Sequence, residues 1–198
     1  GRPRQSAERE QEMRACIVSA ARALFLDAGI AAVSMRNIAN SVGCSPMWLY
    51  RYFGSKQAIL REVWQTILDE LFQQLDKLNS KDPATDLDRL AQAYMKYWLE
   101  QPNHFRLVFL NDERVFGEAD PEGAQDMARR YKLFEDAFTR AQAAGNIRAG
   151  ASKPQAEGLL AVMHGLIFNL VTVTDYPWQP QKTLAEHTVR AYLDGLAA

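Results

Sequence analysis

The chain has 198 residues, of which 47% are hydrophobic and 24% charged, and its formal net charge is −1. This length predicts one ordinary domain, or one large and one small domain, and the composition excludes a wholly disordered chain. No stretch approaches the roughly 18 uncharged apolar residues of a membrane span, so no membrane contact is expected. The first residues are polar and basic, unlike a signal peptide, and Cys16 and Cys44 are too few for a disulfide framework. A reducing cytoplasm is therefore the expected location.

Positive charge is concentrated toward the N-terminal end of the chain. Residues 1–60 contain eight Lys/Arg and four Asp/Glu, whereas residues 61–198 contain fifteen and twenty. A basic front on an acidic body predicts that only the front meets a polyanion. The alternative is a chance fluctuation in composition.

Apolar residues recur at intervals of three or four along almost the whole chain, which predicts helices. The first helix carries Ile17, Ala21 and Leu24 and is expected to stop at Gly29. Only residues 171–174 resemble a strand, and they are too few to outweigh the helix that they continue. The predicted fold is all-α, with about nine helices.

Capping residues and prolines predict the boundaries of the other helices. Ser34 and Ser45 can cap the second and third helices, and an unbroken apolar stripe predicts a long fourth helix to about Leu78. Ser152 and Gln155 have the spacing of a capping box. The later helix starts and loops are expected, in chain order, at Pro83, Pro102, a loop over 111–120, Pro121, Ser152, a loop over 175–180 and Gln181.

The second and third helices have the spacing of a helix-turn-helix. Ala39 is small where the two helices cross, and Gly43 permits the positive φ of the turn. Leu49 is expected to face back into a small core with Ile38 and Val42. The outward face of the third helix offers Met47, Trp48, Arg51 and Tyr52.

The helix-turn-helix and the residues that flank it carry several motifs that are informative as a set. This combination comprises residues 34–45, residues 49–53, Lys56 and Leu60. With it, residues 10–60 resemble the TetR family of bacterial transcription regulators. The remaining residues match that family in architecture.

The resemblance implies a homodimer in which each subunit places its third helix in a major groove of a palindromic operator in double-stranded DNA. It implies an N-terminal arm and helix-turn-helix domain over residues 1–54 and a ligand-binding and dimerisation domain over residues 55–198. A small-molecule effector in the larger domain would shift the affinity for DNA. The expected function is a transcriptional repressor that a small apolar effector releases from its operator.

The family's roles imply which residues meet DNA. Backbone contacts are expected from Ser34, Ser45, Tyr50 and Lys56, and base reading from Met47, Trp48 and Tyr52, with Arg36 and Arg51 on the same face. Met47 and Trp48 are bulkier than is usual at these positions. Trp48 is expected either to press on a thymine methyl or a sugar, or to cover the Tyr50 region.

The first five residues form a basic arm without an apolar anchor. Arg2 and Arg4 could enter a narrow A·T minor groove, where the potential is most negative. The alternative is a disordered polar tail without a role on DNA.

The eighth helix is apolar nearly all round, so more than one of its sides must be buried. Leu159, Met163 and Ile167 can face its own domain. Small residues on another side allow a partner helix to approach closely, and with the ninth helix they predict a dimer interface made by Gly158, Ala161, Gly165, Thr172 and Tyr192. The alternative is the central helix of a monomeric bundle.

Aromatic residues are concentrated after residue 60 and could line an apolar effector cavity. The expected lining is Trp64, Tyr94, Trp98, Phe105, Phe109, Tyr131, Phe134, Phe138, Met163, His164 and Phe168. The alternative for each of them is a place in the hydrophobic core. His164 is expected to be a hydrogen-bonded structural residue, or to orient a polar group of the effector.

No sequence pattern indicates catalysis. The chain lacks the G-x-S-x-G, Walker, H-E-x-x-H and C-x-x-C motifs, and His104, His164 and His187 have no metal-ligand spacing. No cofactor, metal or catalytic residue is therefore expected. A helical protein-interaction module and a small helical enzyme are the alternative functions.

Overall fold

The structure is a computed structural model that describes residues 2–78, 82–111 and 121–198. These residues contain nine α-helices and one isolated bridge, between Ile147 and Ala197. The prediction of an all-α fold is thereby confirmed. The helices are α1 Arg2–Ala28, α2 Met35–Ser41, α3 Pro46–Leu49, α4 Lys56–Asp76, α5 Pro83–Glu100, α6 Pro102–Phe109, α7 Pro121–Ala143, α8 Ser152–Thr172 and α9 Gln181–Asp194.

The described residues form two compact units. The first contains residues 2–69 and 103–111, and the second contains residues 70–78, 82–102 and 121–198. The predicted boundary after Gly54 falls inside the first unit. The first unit extends past Gly54 because α1 contacts both later helices. Arg14 of α1 forms an ion pair with Glu62 in the first half of α4, and the Arg22 guanidinium lies 3.2 Å from Nε2 of buried His104 in α6.

The core of the first unit follows from the helical stripes. Ile17 and Ala21 of α1, Ile38 of α2 and Leu49 of α3 are fully buried, and Phe53 is almost so. Burying large apolar side chains contributes about 1.5–3 kcal/mol each. This burial holds the three N-terminal helices together.

Local turn chemistry places the ends of the helices as predicted. Gly29 and Gly43 have φ of 79° and 71°, a conformation that a side chain disfavours. Pro46, Pro83 and Pro102 each occupy the first position of a helix, where the missing N–H costs nothing.

Three helix ends differ from the expectations. The capping box at α8 was wrong, because Ala151 is the N-cap and makes no side-chain bond. Gln155 instead accepts a 2.8 Å hydrogen bond from Gln142 of α7. The α4 and α9 helices end about two residues early, at Asp76 and Asp194, since their last turns are not α-helical.

The N-terminal arm also differs from the tail that the sequence suggested. The backbone of residues 2–6 is the first part of α1 and not an extended tail. The side chains of Arg2 and Arg4 lie outside the described part of the structure, as do residues 112–120 of the predicted loop over 111–120.

The second unit is built around α8, which packs on α5, α7 and α9. Leu159, Met163 and Ile167 are fully buried on its inner face. Gly158 and Tyr192, both predicted to meet a partner subunit, meet each other within the chain. A Cβ at Gly158 would lie 2.3 Å from the Tyr192 hydroxyl oxygen, so a larger residue there would have to displace the Tyr192 side chain.

Candidate nucleic-acid interface and interior polar cluster

Two serines fix the helix-turn-helix. The Ser34 hydroxyl accepts from the Asn37 backbone N–H at 3.2 Å, and Asn37 Oδ1 accepts from the Ser34 N–H at 2.9 Å. The Ser45 hydroxyl accepts from the Trp48 N–H at 3.2 Å. These caps satisfy amide groups that a helix start leaves without an intrahelical partner.

The outward face of α3 exposes large side chains. Met47 is 82% exposed and Tyr50 is 54% exposed, while Leu49 on the opposite side is buried. Arg51 in the following turn and Arg36 of α2 are also exposed. An exposed Met and Tyr flanked by arginines form a surface that can contact bases and phosphates.

The Trp48 side chain packs against Tyr52. Its ring lies 4.5 Å from the Tyr52 ring, centroid to centroid, and the two planes are tilted by 46°. Both side chains are half-buried. The two side chains therefore form one aromatic pair rather than two independent groups.

Lys56 begins α4 next to this surface. Its Nζ donates a 3.0 Å hydrogen bond to the Ile30 carbonyl oxygen. An ammonium group has three donors, so this bond is compatible with a phosphate contact. The bond fixes where the positive charge lies.

Sequence reasoning missed Arg14, which touches the same region from α1. Its Nη1 donates a 2.5 Å hydrogen bond to the Tyr52 carbonyl oxygen, and its Nη2 forms an ion pair with Glu62. The signal in the sequence is its spacing, since Arg14 precedes the buried Ile17 and Ala21 by three and seven residues and shares their face.

A polar cluster lies inside the second unit. The Tyr94 hydroxyl is 2.5 Å from His164 Nε2 and 3.4 Å from the Tyr131 hydroxyl. The Tyr94 and His164 rings are stacked, with centroids 5.7 Å apart. Phe134 and Phe72 pack their rings on Tyr94, at 5.6 and 6.5 Å.

Burial keeps this cluster uncharged. It lowers the pKa of His164 to about 4, so the imidazole is neutral near pH 7 and its Nε2 can accept a hydrogen bond from the Tyr94 hydroxyl. Burial also raises the pKa of both Tyr94 and Tyr131. The cluster therefore offers neutral hydrogen-bonding groups in aromatic surroundings.

The structure brings together part of the predicted effector lining. Trp98 joins Tyr94 edge to face at 6.1 Å, and Phe138 and Met163 are buried in the same unit. Trp64, Phe105 and Phe109 belong to the first unit, where Phe105 and Phe109 are ring neighbours. Phe168 lies on the surface, 46% exposed, because it projects from the outer side of α8. Phe72, absent from the predicted lining, belongs to the cluster.

The outer side of α8 is apolar and exposed. Val162, Phe168 and Val173 are each more than a third exposed, and Ala161, Gly165 and Thr172 lie at the surface between them. A Cβ at Gly165 would meet no atom of the chain within 4 Å. Contiguous apolar surface of this kind is typical of an interaction site.

Among residues 2–78, 82–111 and 121–198, no three His, Cys, Asp or Glu side chains could jointly hold a metal ion. None of the described helices combines the length and apolar character that crossing a bilayer requires.

Family models match both ends of the chain. The model described as "Bacterial regulatory proteins, tetR family" matches residues 17–63. The model described as "Tetracyclin repressor-like, C-terminal domain" matches residues 87–197, which is more than half of the chain.

Curated relatives and solved structures agree with these matches. The chain is 32% identical over 113 residues to the HTH-type transcriptional repressor KstR2 of Mycolicibacterium smegmatis, covering 56% of this chain and 52% of that protein. It is 31% identical over 143 residues to the uncharacterized HTH-type transcriptional regulator YfiR of Bacillus subtilis, covering 70% and 67%. A protein of unknown function from Rhodococcus sp. RHA1 has the same fold, with a TM-score of 0.81 at 21% identity over 93% of this chain and 95% of that one.

The match spans about half the length of the KstR2 repressor. The family and these curated relatives are transcriptional regulators and not enzymes. With a family model over more than half of its length and a second over the helix-turn-helix, the chain belongs to the TetR family of bacterial regulatory proteins.

Proposed function

We propose that this chain is a DNA-binding transcriptional repressor that acts as a homodimer on a palindromic operator and is released by a small apolar effector. The observation that carries the proposal is the capped helix-turn-helix, whose third helix buries Leu49 and exposes Met47 and Tyr50. A helix held in this way can enter a major groove with its exposed side chains against base edges.

Two kinds of contact have separate roles in this proposal. Ser34, Ser45, Tyr50 and Lys56 contact the DNA backbone, which gives affinity without sequence preference. Met47 and the Trp48–Tyr52 pair contact base edges and thymine methyl groups. Arg36 and Arg51 add positive charge to the same face, while Arg2 and Arg4 remain proposed minor-groove contacts.

The proposed dimer uses the exposed face of α8, which Ala161, Gly165 and Thr172 line together with Phe168. Leaving this apolar face in water is unfavourable, and a second copy of the same face would cover it in an isologous contact. Gly158 and Tyr192 pack against each other within the chain, so this proposal does not place them at the contact between subunits.

The proposed effector site is the aromatic cluster around Tyr94, Tyr131 and His164. Because its polar groups are neutral, an uncharged, largely apolar molecule with one hydrogen-bonding group is the best match. Phe72 belongs to this cluster and Lys56 to the DNA-facing end of the same uninterrupted helix, α4. We propose that displacement of α4 couples the two sites.

DNA binding is the first test of this function. Tyr50→Ala and Lys56→Ala should weaken binding to all duplexes about equally, because both remove backbone contacts. Lys56→Ala should also reduce the slope of log affinity against log salt concentration by about one unit. Met47→Ala should change which base is preferred. Electrophoretic mobility shift with the DNA that flanks the gene measures all three.

Lys153→Ala is the matched control, since it removes an exposed lysine from α8 in the other unit. Its affinity should equal that of the wild type. If Tyr50→Ala and Lys56→Ala bound as tightly as the wild type at several salt concentrations, the proposed docking would be wrong.

Two glycines of α8 distinguish the dimer interface from packing within the chain. Gly165→Leu overpacks the proposed crossing, which costs about 1–3 kcal/mol per subunit and should dissociate the dimer. Gly158→Ala meets Tyr192 inside the chain, so it should lower the free energy of unfolding by about 1 kcal/mol and leave the dimer intact. Light scattering and urea unfolding separate these results. A wild type with the mass of one subunit at micromolar concentration would contradict the interface.

The lowered pKa of the half-buried His164 predicts how stability depends on pH. Its folded pKa of about 4 lies below the value of about 6.5 in an unfolded chain, so the unfolded state binds more protons. Stability should be complete above pH 6.5 and fall by on the order of 2 kcal/mol as the pH drops toward 4. His164→Gln should lose this part of the pH dependence in urea unfolding, and His187→Gln, at an exposed position of α9, should retain it. Identical profiles for His164→Gln and the wild type would show that the pKa of His164 is not lowered in the folded chain.

Effector coupling must be reciprocal. A molecule that weakens DNA binding must itself bind more weakly by the same factor when operator is present, typically about 5–150-fold. The probe is an uncharged aromatic compound selected by thermal shift, and titration calorimetry with and without operator duplex gives both affinities. Equal affinities would refute the coupling even if both molecules bound well.

A further inference from the structure

We infer that Arg14 is a positioning residue that holds the DNA-reading segment against α1 and α4. This inference rests on the proposed function, because it assigns Arg14 a role in setting the geometry of DNA recognition. It does not assign Arg14 a contact with DNA.

A single guanidinium makes three contacts to different parts of the first unit. Nη1 donates to the Tyr52 carbonyl oxygen at 2.5 Å, and Nη2 pairs with the Glu62 carboxylate of α4. The guanidinium carbon lies 4.2 Å from the centroid of the buried Phe53 ring. Arg14 therefore joins α1, the turn after α3, and α4.

The contact with Tyr52 stabilises the segment that follows the short helix α3. A helix of four residues has few internal hydrogen bonds, and turn-type bonds such as that from the Tyr52 N–H to the Leu49 carbonyl oxygen continue it to Phe53. The Tyr52 carbonyl lies near the end of this segment, and the hydrogen bond from Arg14 satisfies it as a backbone acceptor. Because the Tyr52 ring packs on Trp48, holding the Tyr52 backbone also holds the aromatic pair that faces DNA.

The chemistry requires arginine at this position. The planar guanidinium presents several N–H donors in a fixed fork and stacks on an aromatic face at the same time. The lysine ammonium is a point charge, and it cannot bond the carbonyl and the carboxylate in the same directions while covering Phe53. Arg14→Lys keeps the positive charge and removes the geometry.

The experiment uses Arg14→Lys and Glu62→Gln in the full chain. Glu62→Gln removes a negative charge from the basic unit, so electrostatics alone would strengthen DNA binding. A positioning role predicts the opposite sign, because the guanidinium loses the carboxylate that orients it. Glu12→Gln, at an exposed position of α1, is the matched control for the same loss of charge.

Affinity is measured on the duplex that flanks the gene and on a scrambled duplex of the same composition. We expect Arg14→Lys to lose about tenfold on the first duplex and little on the second, with an unchanged salt slope. Glu62→Gln should lose affinity in the same selective way, whereas Glu12→Gln should match or exceed the wild type. Circular dichroism melting confirms that the variants are folded at the assay temperature.

Hydrogen exchange of the free protein gives a readout that does not depend on DNA. Peptides over residues 46–54 should exchange faster in Arg14→Lys than in the wild type, and peptides over residues 59–67 should not change. Wild-type affinity and wild-type exchange in both variants would overturn the inference. An equal loss on both duplexes would also overturn it, because that result indicates a phosphate contact. A wild type that fails to discriminate the duplexes would contradict the proposed function, and hydrogen exchange would then decide the inference by itself.

Discussion

The four-residue helix α3 cannot be stable by itself, and this constraint governs the arrangement of the first unit. Forming the first turn of a helix fixes several dihedral angles for one hydrogen bond, so such a short helix depends on its surroundings. Ser45 and Pro46 favour its start, and the buried Leu49 fixes the face that it turns inward. The side chains that α3 exposes are therefore those that the core does not bury. Their direction is fixed because Leu49 on the opposite side is held in the core.

The two sides of α8 lie in different surroundings. The inner side is fully buried among α5, α7 and α9, and Gly158 permits the close approach of Tyr192. The outer side carries Phe168 and small residues that the chain itself leaves in contact with solvent. A helix that is apolar all round thus contributes to the fold on one side and to the proposed assembly on the other, since both processes are driven by removing apolar surface from water.

The polar cluster of the second unit places hydrogen-bonding groups among aromatic side chains. The buried Tyr94 hydroxyl lies within hydrogen-bonding distance of Tyr131 and His164, which are half-buried, so it has polar partners inside the unit. Their neutrality follows from the same burial, because desolvation disfavours the charged form of each group. An incoming molecule with one hydrogen-bonding group could exchange partners with this cluster without a buried charge.

Features that depend on neighbours along the chain were predictable from the sequence. The caps Ser34 and Ser45, the turn at Gly43 and the helix-starting prolines were predicted correctly, because capping and backbone conformation are local. The helical stripes likewise predicted the all-α fold, and one local motif sufficed to indicate the family. Contacts between distant residues became visible only in the packed fold. It placed Gly158 against Tyr192, joined Arg14 to Tyr52 and Glu62, bonded Gln155 to Gln142 rather than to a helix start, and left Phe168 at the surface. Periodicity reveals that a helix has an apolar side, but which neighbour covers that side depends on how separate helices pack, and packing is not encoded at any fixed spacing.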